Sequence, residues 1–174
     1  LTAAPLRAGY MNNRNNCLYN IAAAAPEKDE HMVSVYKRLA DVLEIPYEST
    51  TVLKPLSVDI AKADEIIAGM GVKKFIAVHP GNFGKSRSRW PEENFASLSS
   101  KIAEVTDMVQ IYITGPGEQQ QVKAVADAVK CDKVITAPLM NLRLTAAFLS
   151  RASLFIGNST GTTHTADAVG TPVL

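Results

Sequence analysis

The sequence predicts an α/β fold: a parallel sheet with helices on both faces. Three observations carry that prediction. From Lys73 onward, short apolar runs of strand length alternate with segments of helical periodicity. The strand-to-helix loops carry distinctive residues and the helix-to-strand loops do not. The 174 residues are 47% hydrophobic and 20% charged, with 10 Gly and 9 Pro, which supplies a core and excludes disorder, collagen-like repeats and coiled coil.

The elements follow in order. Pro5 to Tyr10 reads as a short strand, and Met11 to Asp29, rich in Asn and Ala, as an irregular loop. Met32, Val35, Tyr36, Leu39, Val42 and Leu43 recur at helical spacing. Ile45-Pro46 ends that helix, because proline disfavours α conformation in the residue before it. Tyr47 to Leu53 reads as a strand broken by Lys54-Pro55, and Ser57 as the N-cap of a helix running to about Met70. Phe75 to Val78 is a buried-strand pattern, and His79 to Arg89 a loop. Pro91 to Val105 is a helix with proline at its start, where a missing N–H costs nothing. Met108 to Ile113 is a strand, Glu118 to Lys130 a helix, and Lys133 to Thr136 a strand. Asn141 caps a helix to Arg151, Ser153 to Ile156 is a strand, and Thr162 to Val169 a helix. Gly170-Thr171-Pro172 then turns into Val173-Leu174, the start of one more strand.

Eighteen basic against seventeen acidic residues give a formal charge of +1, which excludes a chain-wide polybasic nucleic-acid binder but leaves room for a local cluster. No apolar run approaches the ~18 residues that cross a bilayer; Ile21 to Ala25 is the nearest. The two cysteines, Cys17 and Cys131, form neither a disulfide framework nor a C-x-x-C metal motif, and read as reduced thiols. Leu1 to Leu6 lacks the pattern of a signal peptide.

In parallel sheets ligands bind beyond the carboxyl ends of the strands, so four loops matter. In His79 to Pro91, Gly81 and Gly84 let the backbone approach a ligand, with Pro80 shaping the same turn. Lys85, Arg87 and Arg89 put three cations in five residues; they suit a phosphate or pyrophosphate, or form a solvated basic loop with Trp90 as anchor. The spacing excludes a P-loop. Gly157 to His164 sets backbone amides and hydroxyls at a helix N-terminus, an anion site by geometry, or else ordinary capping by Ser159, Thr160 or Thr162. Thr114-Gly115-Pro116-Gly117-Glu118 places a carboxylate that holds a ribose diol or simply complements the helix dipole. Met140, beside Asn141, lies against a flat ring or packs in the core. A dinucleotide fingerprint is absent from the sequence, and no Ser/His/Asp set is recognisable.

Taken in order, His79-Pro80-Gly81, Arg89-Trp90-Pro91 with Phe95, Thr114 to Glu118, Gly157 to Gly161 with His164, and Gly170 to Val173 resemble glycosyltransferase family 9, the ADP-heptose:lipopolysaccharide heptosyltransferases. Arg7 to Tyr10 and the helix near His31 are similar to the end of that family's N-terminal domain and its crossing segment. The resemblance implies a GT-B fold of two Rossmann-like domains, of which this chain holds the C-terminal, donor-binding half, truncated at both ends. Residues 1–55 would end the acceptor domain and 56–174 form most of the donor domain. It further implies inverting transfer of heptose from ADP-heptose, or a related nucleotide sugar, to a lipopolysaccharide core acceptor. Helix dipole, amides and cations would take the place of a metal, and no cofactor beyond the donor substrate is expected.

By the same resemblance, Lys85, Arg87, Arg89, Ser159, Thr160, Gly161, Thr162, Thr163 and His164 hold the donor phosphates, and Gly115, Glu118 and Met140 the nucleoside. Ser159 stands where the family usually has aspartate. The catalytic base is expected upstream of Leu1, so these residues alone are expected to be inactive. The implied location is cytoplasmic, with peripheral association at the inner membrane through other parts of the protein; no transmembrane segment and no nucleic-acid partner are expected. Two other readings stand beside this one: a UDP-sugar epimerase-like enzyme on the same two-domain plan, and a non-catalytic nucleotide-sugar-binding module.

Overall fold

The structure, a computed structural model, describes residues 4–11, 16–48, 52–81 and 89–174. It divides into two compact units, Leu1–Thr51 and Val52–Leu174.

In the first unit, β1 (Ala8–Tyr10) pairs in parallel with β2 (Ile21–Ala23), Ala8 opposite Ile21, and α1 (Met32–Val42) packs on both. The strand expected over Pro5 to Tyr10 is only its last three residues. Before Ala8 the Asn20 side chain ties the chain down: it accepts from the Arg7 N–H at 2.8 Å and donates to Pro5 O at 2.6 Å. The loop expected over Met11 to Asp29 contains β2 and a 3-10 turn, Asn16–Leu18. Two alanines give that strand a poor β signature, and its pairing with β1 decides the outcome. The Arg7 to Tyr10 motif knits this unit. Arg7 donates to Leu18 O and Ala4 O, Tyr10 donates to Val35 O at 2.7 Å, and a Cβ on Gly9 would strike the Tyr19 ring. Helix α1 ends before Ile45-Pro46 because Glu44 takes a left-handed conformation. The Glu44 and Ile45 N–H groups then close back on Asp41 O and Ala40 O.

The second unit is a four-stranded parallel sheet in the order β5-β4-β3-β6. Its strands are β3 (Phe75–His79), β4 (Val109–Tyr112), β5 (Val134–Thr136) and β6 (Leu154–Gly157). Alternation along β3 splits its side chains between two cores. Phe75 and Ala77 join Ile111, Ile113 and Phe155 beneath α2 (Ser57–Gly69), α5 (Leu142–Leu149) and α6 (Gly161–Ala168). Ile76 and Val78 join Tyr112 and Ile156 beneath α3 (Glu92–Val105) and α4 (Gln119–Ala128). The second core carries a polar knot. Ser99 Oγ bonds Tyr112 OH at 2.7 Å, and Gln110 Nε2 donates to Ser99 O at 2.9 Å. Burial raises the Tyr112 pKa, so the phenol stays protonated in the knot.

Three details depart from expectation. Tyr47, Glu48, Val52 and Leu53 are not in a strand; Leu53 N–H bonds Ala168 O, at the end of α6, rather than a neighbouring strand. Ser57 is the first helical residue, and Leu56 is the N-cap without a side-chain bond. Pro91 is likewise the N-cap of α3 rather than its first turn. The Gly170-Thr171-Pro172 turn behaves as read: the Gly170 and Thr171 N–H groups close α6, and Val173 forms a parallel bridge to Phe155.

Phe148 is fully buried, with its ring 4.9 Å from that of Phe75. Phe148→Ala is expected to cost about 3–5 kcal/mol. Val105→Ala, at a position 79% exposed, should cost less than about 0.5 kcal/mol. Urea unfolding of both variants checks the difference.

Candidate functional site

The sheet order places a switch point beside β3. The chain leaves β3 toward β4 and β5 on one side, then returns as β6 on the other. A crevice opens beyond the strand ends at such a point. The register sets His79 opposite Gly157 at its mouth. Gly157 has to be glycine: a Cβ there would lie 2.8 Å from the Phe155 ring and 3.0 Å from His79 O.

The next residue, Asn158, is buried and fastens the crevice. Its Nδ2 donates to Pro80 O at 3.1 Å and to Gly81 O at 3.0 Å. Its Oδ1 accepts from Trp90 N–H at 2.8 Å. One amide thus ties β6 to both ends of the loop that begins at Pro80. Trp90 packs edge-on against Phe95 at 4.8 Å, anchoring the far end of the loop to α3. Thr163 Oγ1 donates to Asn158 O and accepts from the Thr160 N–H at 3.4 Å, so the hydroxyl of Thr163 closes the start of α6.

Glu118 is the N-cap of α4, but its carboxylate turns inward. Oε2 accepts from the Gly115 N–H at 3.2 Å and lies 3.2 Å from His79 Nε2. His79 is 4% exposed. Burial lowers its pKa, and the Glu118 carboxylate partly opposes that. The ring is therefore neutral at pH 7. A carboxylate only accepts, so Nε2 carries the proton and Nδ1 is a lone pair. Nδ1 is buried and has no hydrogen-bond partner among the described residues; Thr114 Oγ1 is in the same position.

Two hollows share the residues around His79. One, of about 200 Å³, is lined by Thr114, Gly115, Pro116, Met140, Asn141 and Thr145 among others. The other, of about 480 Å³, is lined by Gly115, Glu118 and Ser159 to Thr162. Together they have the size of a small-molecule site. Gly161 and Thr162 are the first residues of α6, so a helix N-terminus borders the larger hollow. Its unsatisfied amides and dipole favour an anion there.

The structure therefore gathers Gly115, Glu118, Met140, Ser159, Thr160, Gly161 and Thr162 from three strand-end loops. Met140 lines the smaller hollow and also packs in the first core. Thr163 caps α6. His164 is exposed on α6 and lines neither hollow. Arg89 forms an ion pair with Glu92 at the start of α3 and also lines neither hollow. Pro80 and Gly81 form the buried floor beside His79. Gly84, Lys85 and Arg87 lie outside the described residues. Sequence reasoning passed over His79, Asn158 and Thr114 as binding or positioning residues. A polar residue directly after the apolar end of a strand run was the available signal for His79 and Thr114. Among the described residues, no group of three or more His, Cys, Asp or Glu is placed to hold a metal. No helix is long and apolar enough to cross a membrane, again among the described residues.

Asn158→Ala is expected to cost about 2–4 kcal/mol, because it strands the Trp90 N–H and two carbonyls in a buried site; urea unfolding measures it. His79 also makes stability depend on pH. The unfolded ring takes a proton as pH falls through about 6.5, while the folded ring does not. Its contribution is complete above that pH and is lost on acidification below it. In thermal melts from pH 7.5 to 5, the gap between wild type and His79→Gln should narrow as pH falls.

The pattern of glycosyltransferase family 9 (heptosyltransferase) matches residues 1–174. Among solved structures, a glycosyl transferase family 9 protein from Veillonella parvula DSM 2008 is similar with a TM-score of 0.78 at 20% identity, over 98% of this chain and 50% of that one. E. coli ADP-heptose lps heptosyltransferase II is similar with a TM-score of 0.74 at 16% identity, over 97% of this chain and 55% of that one. E. coli heptosyltransferase WaaC with ADP gives 0.60 at 19% identity, over 90% and 48%. The chain thus spans about half the length of these relatives, and at such identities the likeness shows the fold. Among curated proteins none matches.

Proposed function

Because the chain belongs to glycosyltransferase family 9, the heptosyltransferase family, we propose that its strand-end cleft binds the nucleotide-sugar donor of a glycosyl transfer. The donor is ADP-heptose or a related nucleotide sugar, the acceptor a lipopolysaccharide core, and the reaction inverting. One observation carries the reading. Gly115, Glu118 and Met140 reach the same cleft as Ser159 to Thr162 at the N-terminus of α6. A nucleoside has an apolar slot and a carboxylate there, and its diphosphate has the orphan amides of a helix.

In the transfer, an acceptor hydroxyl oxygen attacks the anomeric carbon and the bond to the β-phosphate oxygen breaks. The hydroxyl proton passes to a base supplied from the acceptor side, and the nucleoside diphosphate leaves with the charge. The groups of this chain act on that leaving charge. The amides of Gly161 and Thr162, with Lys85 and Arg87 from the loop that Asn158 fastens, stabilise it without a metal. The protein works at the inner face of the cytoplasmic membrane, where a peripheral enzyme meets such an acceptor.

Isothermal calorimetry with ADP tests the reading. The chain should bind ADP with a sub-millimolar Kd, and Lys85→Ala or Arg87→Ala should each weaken binding about tenfold, the worth of one charge-assisted bond. Absence of binding at millimolar ADP would overturn it. Conversion of UDP-N-acetylglucosamine without any acceptor would replace it with the epimerase reading.

A further inference from the structure

We propose that His79 is a positioning residue of this nucleotide site, whose Nε2–H holds the Glu118 carboxylate in the attitude that selects a ribose diol. The inference rests on the proposed function, since it concerns the nucleoside end of the same cleft. It adds a residue to which neither the sequence motifs nor the fold assigned a task.

Four observations support it. His79 Nε2 and the Gly115 N–H converge on one carboxylate oxygen, Glu118 Oε2, each at 3.2 Å. The carboxylate is thus held by two donors from two different strand ends. Space around the pair is withheld by glycines: a Cβ on Gly81 would lie 2.4 Å from His79 Cε1 and 2.8 Å from Glu118 Oε2. A Cβ on Gly115 would also come within 2.8 Å of Oε2. The floor beneath the ring is fixed, because Asn158 binds both the Pro80 and Gly81 carbonyls. Finally, both His79 and Glu118 border the larger hollow, where a ligand would meet them.

A carboxylate pinned at one oxygen by two N–H donors loses the freedom to rotate away from a ligand hydroxyl. The cost of ordering it falls on folding rather than on binding. A site built to hydrogen-bond a hydroxyl also rejects the analogue that lacks it. Removing the His79 donor should therefore erode the preference for a ribose over a deoxyribose, rather than affinity for the diphosphate.

The test measures Kd for ADP and for 2′,3′-dideoxy-ADP on wild type, His79→Gln, His79→Asn and Glu118→Gln. Wild type should prefer ADP by about tenfold or more, the worth of a hydrogen bond to a charged group. His79→Gln places an amide donor near the Nε2 position and should keep the preference. His79→Asn places its amide nearer the Nδ1 position and should bring the two Kd values within about threefold, as should Glu118→Gln. Equal ratios in wild type and His79→Asn overturn the proposal, as does loss of preference in His79→Gln. A folded His79→Asn that binds both nucleotides more weakly by one factor marks a merely structural role, and also overturns it. Should the His79 variants fail to fold, nitrogen NMR of the wild type decides. The Nε2–H tautomer, with an Nε2 signal that shifts in Glu118→Gln, is expected; the Nδ1–H tautomer overturns the proposal. Failure of wild type to bind ADP at all overturns this inference together with the function on which it rests. ADP binding with an unchanged ratio in His79→Asn overturns this inference alone.

Discussion

The side chain of Asn158 joins segments of the chain that lie 77 and 78 residues apart. Its two donor bonds and one acceptor bond use the amide in both senses. An amide suits that task because it carries two N–H donors for carbonyls and an oxygen acceptor for an N–H on one rigid group. The crevice beside β3 opens where the chain leaves β3 and β6, and beyond the last paired residues, His79 and Gly157, the backbone has no ladder partners. Asn158 supplies those partners from a side chain. The turn after β3, the return at Trp90 and the start of α6 then hold fixed positions around it.

The site is shaped as much by missing atoms as by present ones. Gly81, Gly115 and Gly157 each bring the backbone closer to His79 or Glu118 than a Cβ would allow. That closeness buries His79 and keeps its ring neutral. A charged imidazole in the same place would attract anions of any kind. A neutral donor instead adds no positive charge beside Glu118, and the positive pole of α6 borders the same hollow.

Much of this was legible in the sequence because the second unit follows local rules. Its strands and helices alternate with the right periods, Asn141 caps α5 as its position suggests, and Gly170 ends α6. The Gly-rich strand-end loops pointed to the cleft for the same reason: their composition reports backbone demand. What was not legible depends on partners distant in sequence. The strand β2 forms despite two alanines because β1 is beside it, and Leu53 gives its N–H to Ala168 O at the end of α6 rather than to a strand. His79 looked like the first residue of a loop. Only the meeting of β3 with the turn after β4 gives it Glu118. Asn158 read as one polar residue among several, since nothing local distinguishes a clamp from a cap.

The strand order carries a consequence for the birth of the protein. The β3–β4 and β4–β5 pairs join neighbours in sequence, whereas β3–β6 closes a long loop of chain. Non-local pairings of this kind pay their closure entropy before any contact rewards them, and they form slowly. During synthesis β3, β4 and β5 can associate while β6 is still inside the ribosome, leaving one edge of β3 bare. That edge is Phe75 to His79, five buried residues, an apolar strand open to any passing partner until β6 arrives. The cleft is thus assembled last, and its completion and the capping of a hazardous edge are one event.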